Sequence, residues 1–519
     1  MHKAALFSLS NKTGAVELAR ALRAVSVVIY ATAGTLAFLV EHGVEAHDVG
    51  ELTGFPSLFD GRVKTLHPKI FGGILADRND EHHVAQSERY RIPDISTVVV
   101  NLYPFEQTVA RPGVNAAEAI EQIDVGGVAL LRAAAKNFEH VTVLSDPAQY
   151  DTFVRGLPDA LDAATRRRLG IAAFERTAQY DAAIAHYLEG KGEVLPADLP
   201  GSLTLTLPLA TPLRYGENPQ SRAAFYLGHR ERLPEQLWGK GLSYNNLLDV
   251  DATLRLLARL KDGAGEGRTQ QPAFRAAVVK HTVPCGVAQR SSVAAAVHEA
   301  LVADPVSAFG GIVAVDGKLD VPSARALAEF FLEIVAAPEY DREALECLQK
   351  KKSLRILRYA KELPEQLARE VRLRSALGGV LADEEDPKAP PETWHVVSQR
   401  QPSQPQWEDL AFAWDVVRHV KSNGVVLVRD GVTVGICAGQ TNRVSAVRIA
   451  GVRARERAHD AACASDGFFP FADGLQEAAK AGCSAIIAPR GSIRDAQVIQ
   501  AADDANIALV FSTYRYFLH

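Results

Sequence analysis

A stretch rich in glycine, proline and cations runs from residue 53 to residue 73 and carries side chains suited to binding phosphate. Arg62 and Lys64 are two residues apart, so both side chains point to the same side if the backbone is extended. Gly34-Thr35 is predicted to open a helix, and the free N–H groups and dipole at a helix N-terminus favour an anion. We therefore predict a phosphate site formed by these two segments. The alternative is a charged surface loop that only makes salt bridges.

A second group of chemically capable residues surrounds a predicted helix. Asp124 stands where an N-cap is expected, and Lys136 falls near the end of the helix. A lysine in the last turn ordinarily just complements the helix dipole. Together with Lys64 and Tyr103, however, Asp124 and Lys136 could polarise a carbonyl group and move a proton.

Several familiar catalytic motifs are missing from the sequence. Neither GxGxxG nor GxxxxGK[ST] occurs, which removes the common dinucleotide and P-loop sites. His281 with Pro284-Cys285 resembles part of a zinc deaminase motif, but the glutamate of HxE and the second cysteine of PCxxC are absent. Residues 80–83, which include two histidines, are predicted to form a solvated loop. We therefore expect no metal site.

The elements that must position these residues alternate between strands and helices. The apolar, β-prone runs are 4–9, 27–30, 97–100 and 141–144. Segments of helical periodicity separate them, as at 15–24 and from about Thr35. This alternation predicts an α/β fold with a mostly parallel sheet, in which ligands bind at the carboxyl ends of strands. The polar or glycine-bearing segments at those ends are 10–13, 32–35 and 101–104.

Changes of composition divide the chain into three predicted domains. Glycine and proline punctuate residues 190–212 around a short predicted strand at 203–207, and an acidic, proline-bearing stretch covers 383–391. The predicted domains are 1–199, 200–385 and 386–519.

The second and third predicted domains echo each other in sequence. Lys280–Val287 resembles Arg418–Val425, and Ser307–Gly310 has a looser counterpart in Ser465–Phe468. The spacing between the paired segments differs. These echoes are as compatible with chance as with an internal duplication.

Size, charge and cysteine content restrict the function classes that remain. The chain has 519 residues, 47% of them hydrophobic, and a formal net charge of −5 that gives no general attraction to nucleic acid or to an anionic membrane. Five widely spaced cysteines favour a reducing compartment over a disulfide framework. The longest uncharged run, residues 24–40, is predicted to be strand, turn and helix start rather than a membrane span. No export signal is evident, and we expect a cytoplasmic protein.

Segments spread over the whole chain resemble a known family, the bifunctional phosphoribosylaminoimidazolecarboxamide (AICAR) formyltransferases and IMP cyclohydrolases of purine biosynthesis. The segments that carry the resemblance are 10–14, 53–73, 101–105, 124–137, 213–220, 280–286, 304–311, 420–423, 465–471, 491–495 and the closing 515–519. They occur in the family's order.

The resemblance implies a fold, two reactions and an assembly. The fold is α/β, with an N-terminal methylglyoxal-synthase-like domain followed by two cytidine-deaminase-like subdomains. The enzyme would transfer a formyl group from 10-formyltetrahydrofolate to AICAR, then close the ring of formyl-AICAR with loss of water to give IMP. It would need no metal and would work as a homodimer, with the transferase sites shared between subunits.

For formyl transfer, a weakly basic amine must attack an amide-like carbonyl, so a site must relay a proton and support an oxyanion. The resemblance implies His281 as the proton acceptor, with Lys280 and Asn423 positioning groups and supporting charge. The residues implied in nucleotide binding are Arg214, Tyr215, Gly310, Glu333 and Arg515, and those implied near the folate are Arg443, Val444, Phe468, Ser492 and Ile493. At least one phenylalanine of the run 468–471 is expected in the core.

For ring closure, which joins two groups of one molecule, orientation and charge stabilisation are the main needs. The resemblance implies Lys136 as the catalytic lysine, supported by Lys64, Tyr103 and Asp124. The residues implied in nucleotide binding are Ser10, Lys12, Thr13, Gly34, Thr35, Arg62, Thr65 and Asn101.

The sequence departs from the family pattern at a few positions. Asn11 stands where aspartate is usual, Ala33 where glycine is frequent, and Thr441-Asn442 where Met-Ser or Gln-Ser is common. Val283 replaces a polar residue two positions after His281, which removes a hydrogen bond worth about 1–3 kcal/mol if it is buried. We predict an active transferase with altered kinetics.

Two alternatives to the bifunctional enzyme remain in view. One is a formyltransferase whose cyclohydrolase half has decayed, although Lys64, Tyr103, Asp124 and Lys136 are all present. The other is an N-terminal domain that only binds a phosphate ligand for regulation. The terminal His519 matches the family's last residue, so a C-terminal tag is expected to harm activity.

Overall fold

The structure is a computed structural model, and it describes residues 3–55, 58–59, 63–111, 113–157, 161–188, 203–205, 207–227, 233–262, 274–384 and 393–519. The chain forms two units, residues 1–206 and 207–519. The predicted domain boundaries at 199–200 and 385–386 lie outside the described residues. The division into three domains therefore stays a prediction.

Unit 1 is an α/β unit built on a parallel sheet. Its elements are β1 Lys3–Leu9, α1 Ala15–Ala24, β2 Val28–Ala31, α2 Ala33–Glu41, β3 His47–Asp48, α3 Val49–Thr53, α4 Pro68–Leu75, α5 Glu81–Arg89, β4 Asp94–Asn101, α6 Phe105–Val109, α7 Ala116–Glu121, α8 Gly126–Lys136, β5 Thr142–Leu144, α9 Tyr150–Arg155 and α10 Ala163–Leu188. The described strands follow the order β3-β2-β1-β4-β5, with parallel pairing throughout. The predicted strands are confirmed as β1, β2, β4 and β5.

The first strand shows why this sheet is covered on both faces. Ala4 and Leu6 belong to one buried cluster with residues of α8 and α10, whereas Ala5, Phe7 and Leu9 belong to another with residues of α1 and α9. Successive side chains of a strand point to opposite faces, so an unbroken apolar run fits a strand buried on both sides. Loops at the carboxyl ends of the strands are then the places where a ligand can enter.

Two local predictions fail in the described residues. Residues 80–83 do not form a loop: the Asp80 carboxylate accepts the N–H groups of His82 and His83 and caps α5. The predicted strand at 203–207 is absent from its described residues, and β6 begins at Leu209. In both cases a polar or proline-rich segment carried too little periodicity to fix the element.

Unit 2 holds a long mixed sheet. Its elements are β6 Leu209–Leu213, β7 Ala223–Tyr226, β8 Glu235–Trp238, α11 Tyr244–Asp262, β9 Phe274–Lys280, β10 Val283–Arg290, α12 Val293–Ala303, α13 Pro305–Ala308, β11 Ile312–Val315, α14 Val321–Glu329, β12 Ile334–Ala337, α15 Arg342–Gln349, β13 Arg355–Arg358, α16 Leu363–Ala368, β14 Arg372–Ala376, β15 Gly379–Asp383, β16 Trp394–Val396, α17 Gln404–Val417, β17 Val425–Arg429, β18 Val432–Cys437, α18 Arg443–Ala454, β19 Ala462–Ser465, α19 Ala472–Ala481, β20 Ala485–Pro489, α20 Asp495–Asp504 and β21 Ala508–Ser512. The order of its described strands is β16-β21-β20-β19-β17-β18-β10-β9-β11-β12-β13-β8.

The strand order shows an internal repeat. Counted inward from the two ends of the sheet, β16, β21, β20, β19, β17 and β18 correspond in turn to β8, β13, β12, β11, β9 and β10. Each half has a helix, a hairpin, a helix and then three parallel strands alternating with helices, and the halves meet where β10 pairs with β18 at Ala288 and Val432. A Cβ on Gly286 would lie 2.0 Å from the Ala300 carbonyl oxygen, and one on Gly435 would lie 2.2 Å from that of Ala450. Both halves therefore use glycine where the second hairpin strand touches a helix.

The repeat does not follow the echoes in the sequence. Lys280–Gly286 in the hairpin of the first half is equivalent to Arg429–Gly435 in the hairpin of the second half. Arg418, in contrast, lies at the end of α17, before the hairpin of its half. Ser307–Gly310 precedes β11, but its supposed counterpart begins at the last residue of the equivalent strand β19. The duplication is thus present in the fold, and the segment pairing drawn from the sequence is wrong. Within the described chain, no helix has both the length and the apolar character needed to span a membrane.

Candidate active sites

A polar pocket in unit 1 forms at the carboxyl ends of three strands. The residues that line it are Ser8, Leu9, Ser10, Lys12, Thr32, Gly34, Thr35, Lys64, Thr65, Asn101, Tyr103, Asp124, Gly126 and Gly127. They follow β1, β2 and β4, or precede α4 and α8, so the parallel strands deliver them to one place. The pocket contains most of the residues that the resemblance implies for ring closure.

Asn101, at the end of β4, fixes the loop that follows β1. Its Oδ1 accepts the N–H groups of Ser10 at 2.7 Å and Asn11 at 2.8 Å, and its Nδ2 donates to the Asn11 carbonyl at 2.7 Å. The Asn11 side-chain oxygen in turn accepts the N–H of Thr13 at 3.0 Å. Asn11 therefore supplies the acceptor that an aspartate would supply, and this departure from the family pattern leaves the turn intact.

The N-terminus of α2 forms another wall of the pocket. Among the described residues, no side chain caps its first turn, and a Cβ on Gly34 would meet no atom within 4 Å. Thr35 Oγ1 accepts the N–H of Leu9 at 3.0 Å, which ties the helix to β1. Free N–H groups and the positive end of the dipole thus border the pocket, as a phosphate group requires. Ala33 is the first residue of α2, where alanine costs the helix nothing.

Asp124 is the acidic group of this pocket. Burial raises the pKa of its carboxyl, while the N–H groups of Gly127 and Tyr103 and the charge of Lys64 lower it by smaller amounts. Asp124 Oδ1 accepts the Gly127 N–H at 2.7 Å and so caps the first turn of α8. A Cβ on Gly127 would lie 2.5 Å from Asp124 Oδ2, so glycine is needed there. The carboxylate is held in a low-dielectric position beside an ammonium group.

Tyr180 is a residue of this site that the sequence did not reveal. Its buried phenol accepts the Asp124 N–H at 2.9 Å and donates to the Gln122 carbonyl at 2.9 Å. Burial raises the pKa of Tyr180 to about 12. Its ring also meets the edge of Phe105, two residues after Tyr103. Tyr180 thus fixes the backbone of the segment that carries Asp124.

Three residues implied for ring closure are not among those lining the pocket. Thr13 is exposed, one residue beyond the lining residue Lys12. Arg62 lies outside the described residues. Lys136 is exposed at the far end of α8, ten residues after Gly126, which is about 15 Å along a helix axis. One chain therefore does not bring Lys136 to Asp124.

In unit 2 a tight turn carries the implied proton acceptor. His281 and Thr282 join β9 to β10 with φ angles of 56° and 61°, as in the type I′ turns of two-residue hairpins. Such angles suit asparagine or glycine and are unfavourable for a β-branched residue such as Thr282. The Asp249 carboxylate, on α11, accepts the Thr282 N–H at 2.6 Å. Burial raises the pKa of this carboxyl, and the nearby N–H groups of Thr282 and His281 lower it by smaller amounts.

The implied nucleotide contacts of the first half surround this turn. Lys280 Nζ donates to the Phe309 carbonyl at 2.6 Å, and a Cβ on Gly310 would lie 3.8 Å from that nitrogen. Glu333, just before β12, forms an ion pair of 2.6 Å with Arg355. Because β9 runs antiparallel to β11 and β11 parallel to β12, these residues share one edge of the sheet.

Asn423 comes from the second half but lies at the same edge. Its Nδ2 donates to the Gln440 carbonyl at 2.7 Å, which fixes the loop before β17 against the loop after β18. The charge of nearby Lys421 lowers the pKa of the Asp249 carboxyl, although burial raises that pKa more strongly. The segment of Asn423 is therefore electrostatically coupled to the residue that holds the His281 turn.

The remaining implied residues lie farther along the sheet edge. Arg443 is buried in an ion pair with the fully buried Asp466, and its guanidinium also bonds Ser465 Oγ at 2.9 Å. Val444 is half-buried, Phe468 is partly exposed, and the Ile493 side chain is fully exposed. The Ser492 N–H is bonded to Asp495 at 3.1 Å. Phe469 is buried, which confirms that one phenylalanine of the run belongs to the core.

The other three residues implied in nucleotide binding, Arg214, Tyr215 and Arg515, lie on loops. The Arg214 guanidinium lies 5.4 Å from the centre of the Tyr215 ring, and Asn245 on α11 donates to the Glu217 carbonyl at 3.2 Å, which ties this segment to α11. The Arg515 guanidinium lies 4.7 Å from the centre of the Phe517 ring, after β21.

The implied transferase residues are spread along the edge of the sheet. Glu333 precedes β12 and Ser492 follows β20, and these strands are seven spacings apart in the described sheet. At about 4.8 Å per spacing, the separation is about 34 Å. One chain therefore holds the implied nucleotide contact Glu333 far from the implied folate contact Ser492.

Comparison with known families and proteins is consistent with these two sites. Residues 14–129 match the model of the MGS-like domain, and residues 134–453 match that of the AICARFT/IMPCHase bienzyme. Two proteins named "Bifunctional purine biosynthesis protein PurH", from Bacillus cereus and Bacillus anthracis, are each 45% identical over 527 aligned positions that cover 100% of both chains. This chain belongs to the AICARFT/IMPCHase bienzyme family.

Membership in the bienzyme family confirms the resemblance and the α/β fold with its MGS-like N-terminal domain. A solved chain titled "Crystal structure of ForH" is 38% identical and covers 37% of this chain and 100% of its own, with a TM-score of 0.35. In the described residues of this bienzyme, no group of three or more histidines, cysteines or carboxylates is placed to hold a metal ion.

Proposed function

We propose that the two activities of this bifunctional AICAR formyltransferase and IMP cyclohydrolase of purine biosynthesis are divided between its units. Unit 1 closes the ring in the pocket of Lys64 and Asp124, and unit 2 transfers the formyl group at the His281 turn. The observation that carries this proposal is the pocket itself, where parallel strands bring a phosphate-binding helix terminus, a lysine and a buried carboxylate together.

In ring closure, the carboxamide nitrogen of formyl-AICAR attacks the carbon of its own formyl group, and water is lost. The phosphate would lie between Lys12 and the N-terminus of α2, which leaves the base near Lys64 and Asp124. The Lys64 ammonium stabilises the charge that develops on the formyl oxygen, and the Asp124 carboxylate accepts a proton from the attacking nitrogen. Orientation of the two groups supplies much of the rate.

The resemblance adds Lys136 to this reaction, and the geometry limits how it can act. Its position about 15 Å along α8 from the pocket means that a single chain offers it no role at Asp124. We propose that Lys136 acts on the pocket of the partner chain. Arg62 and Thr13 remain implied nucleotide contacts.

In formyl transfer, the amine of AICAR attacks the formyl carbon of a folate-type one-carbon donor, which we propose is 10-formyltetrahydrofolate. His281 accepts the proton that the amine loses, and the folate N10 leaves with a proton as tetrahydrofolate. Lys280 and Asn423 stabilise the oxyanion and hold the nucleotide. The partly exposed Phe468 offers an aromatic face to the pterin.

We also propose a homodimer in which the transferase sites are shared between chains. The spread of the implied residues along the sheet edge supports this assembly: the implied nucleotide contact Glu333 and the implied folate contact Ser492 lie about 34 Å apart in one chain, yet the two substrates must meet at one site. The reaction scheme uses proton transfers and charge stabilisation only, and we keep the expectations of no required metal, no nucleic acid or membrane partner, and a cytoplasmic location.

The test is to mix the untagged protein with AICAR and 10-formyltetrahydrofolate and to follow formyl-AICAR and IMP by mass spectrometry. We expect IMP together with an equal amount of tetrahydrofolate. Formyl-AICAR accumulating alone would indicate a decayed or regulatory unit 1, and no turnover by a folded dimer would contradict the transferase assignment.

A further inference from the structure

The turn that carries His281 has an unfavourable backbone and therefore depends on outside support. Both central residues have positive φ, and Thr282 is β-branched, the class of residue that tolerates such angles least. Turns of this shape normally contain asparagine, aspartate or glycine. Something other than local preference must keep His281 in place.

Asp249 supplies that support from α11. Its Oδ1 accepts the Thr282 N–H at 2.6 Å. Hydrogen bonds to a charged acceptor are roughly twice as strong as neutral ones. The Asp249 carbonyl accepts the Thr253 hydroxyl at 2.5 Å within the same helix, so Asp249 is itself fixed. The chain thus anchors the backbone of the turn to one carboxylate through the Thr282 N–H.

The second half of the repeat contains the same device on a turn with no implied role in the reaction. Asp409, on α17, accepts the N–H of Asp430 at 2.8 Å and of Gly431 at 2.7 Å. These two residues join β17 to β18 with φ angles of 53° and 70°. This turn lies beside the carboxyl end of β10, whereas the His281 turn lies at its amino end. Removing Asp409 therefore serves as a control, because it shows how much such a carboxylate contributes to stability at a turn with no implied role in the reaction.

We propose that Asp249 is a positioning residue for formyl transfer: by holding the backbone of the His281-Thr282 turn, it aims the imidazole at the amine that loses its proton. This inference rests on the transferase role proposed for His281. Asp249 also faces Lys421, two residues before Asn423, so one carboxylate relates the histidine turn to the other implied catalytic segment. Asp249 touches no substrate in this proposal and is not a catalytic residue.

The central experiment compares Asp249→Ala with Asp409→Ala in the full-length protein. Misplacement of a reacting group by about 1 Å can cost about 100-fold in rate, so we expect kcat for formyl transfer to fall about 100-fold in Asp249→Ala. The KM for AICAR should change less than about threefold, because the nucleotide contacts remain. Asp409→Ala should lose at least comparable thermal stability but keep kcat within about twofold, since it removes two hydrogen bonds to its turn where Asp249→Ala removes one.

Two further variants keep the inference open to refutation if Asp249→Ala does not fold. Asp249→Asn retains one acceptor oxygen and should keep most of kcat. In the double variant Asp249→Ala/Thr282→Gly, kcat for formyl transfer should be at least about tenfold higher than in Asp249→Ala, because glycine adopts positive φ without strain. A merely structural aspartate would not be rescued in this way.

Failure of this inference and failure of the proposed function would give different experimental results. Absence of formyl transfer by the wild-type protein would contradict the role of His281 itself. An active wild type in which Asp249→Ala keeps its kcat, or in which Asp249→Ala and Asp409→Ala lose kcat equally, would overturn the role of Asp249. Ring closure of supplied formyl-AICAR by the same samples shows that unit 1 is intact.

Discussion

The two candidate sites differ in how much of each site one chain supplies. In unit 1, the carboxyl ends of three adjacent parallel strands meet the segments before α4 and α8, and Lys12, Thr35, Lys64 and Asp124 line a single pocket there. In unit 2, the implied residues lie along one edge of a sheet whose two halves repeat the same arrangement, and the outermost lie about 34 Å apart.

The difference follows from how each sheet was built. A short parallel sheet has its ligand site where neighbouring strands end, so a few loops are enough. Joining two copies of an α/β half along β10 and β18 doubles the length of the sheet edge on which the implied residues lie. The longer edge spreads the implied contacts widely in one chain, which is why we propose that a partner chain brings distant contacts together.

Removing His281 is the most direct way to separate the sites. We expect His281→Ala to lower kcat for formyl transfer about 1,000-fold, since a positioned general base contributes about 10²–10⁴-fold. Ring closure of supplied formyl-AICAR should not change, because the pocket belongs to unit 1. Steady-state assays of each half reaction provide the measurement. Equal loss in both assays would mean that the two activities are not divided between the units.

Mixed dimers test whether the transferase site is shared. Chains with His281→Ala and chains with Phe468→Ala, each weak alone, are purified as a heterodimer by two different tags kept away from the C-terminus. If His281 and Phe468 of one site come from different chains, one of the two sites is intact, and about half of the wild-type activity returns. An unmixed pool of the two homodimers is the control. No recovery in the heterodimer would place both residues of a site in one chain.

The same logic applies to Lys136. We expect Lys136→Ala to slow ring closure about 100-fold, as the loss of a proton-transfer group would. A heterodimer of Lys136→Ala with Lys64→Met should then regain about half of the wild-type rate. Activity in the Lys136→Ala homodimer at the wild-type level would show that the resemblance misassigns this exposed residue. Lys69→Ala, another lysine of unit 1 that does not line the pocket, is the matched control.

Whether a feature could be predicted from the sequence depends on how far apart in the chain the interacting residues lie. β1, β2, β4 and β5 were predictable because a strand buried on both faces is a local apolar run. Tyr180 and Asp249 were not, because their hydrogen bonds to Asp124 and Thr282 span 56 and 33 residues. Nothing in the local pattern of α10 or α11 marks those side chains as partners of a distant loop.

The internal repeat illustrates the same limit. Its strongest marks are Gly286 and Gly435, each forced by the close approach of a helix carbonyl. Matching motifs around histidines gave a different and incorrect pairing, since Arg418 lies at the end of α17 and Lys280 at the end of a strand. Strand order, which is set by long-range pairing, is what established the repeat.

The pH dependence of ring closure tests the environment of Asp124. Burial raises the pKa of this carboxyl above its ordinary value of 3.8, so the rate should begin to fall at a pH above that value as the base becomes protonated. Lys64 lowers the pKa, and Lys64→Met should therefore move this fall to still higher pH. The measurement is kcat for supplied formyl-AICAR across pH. A fall that does not move in Lys64→Met would mean that another group controls it.

Asp124 also makes a prediction for stability. Because the folded pKa is raised, protonation favours the folded state: this contribution is complete below the unfolded pKa and is lost as pH rises through the folded pKa. At neutral pH the carboxylate therefore opposes folding, and Asp124→Asn should raise the unfolding temperature of unit 1 there while slowing ring closure. The gain should vanish in acid. A lower unfolding temperature at neutral pH would show that the bonds from Gly127 and Tyr103 outweigh the burial.

The smallest expected effect concerns Val283, which opens β10 directly after the turn of His281 and pairs with Lys280. The family usually has a polar residue there, and a single hydrogen bond contributes about 0.5–1.5 kcal/mol, or roughly two- to tenfold in rate. Val283→Asn should therefore change kcat for formyl transfer by no more than that factor and leave ring closure unchanged. If Asp249 already fixes the turn, the effect should be larger in an Asp249→Asn background than in the wild type, because the new side chain then adds support that is missing. An identical effect in both backgrounds would mean that Val283 acts on the substrate and independently of the turn.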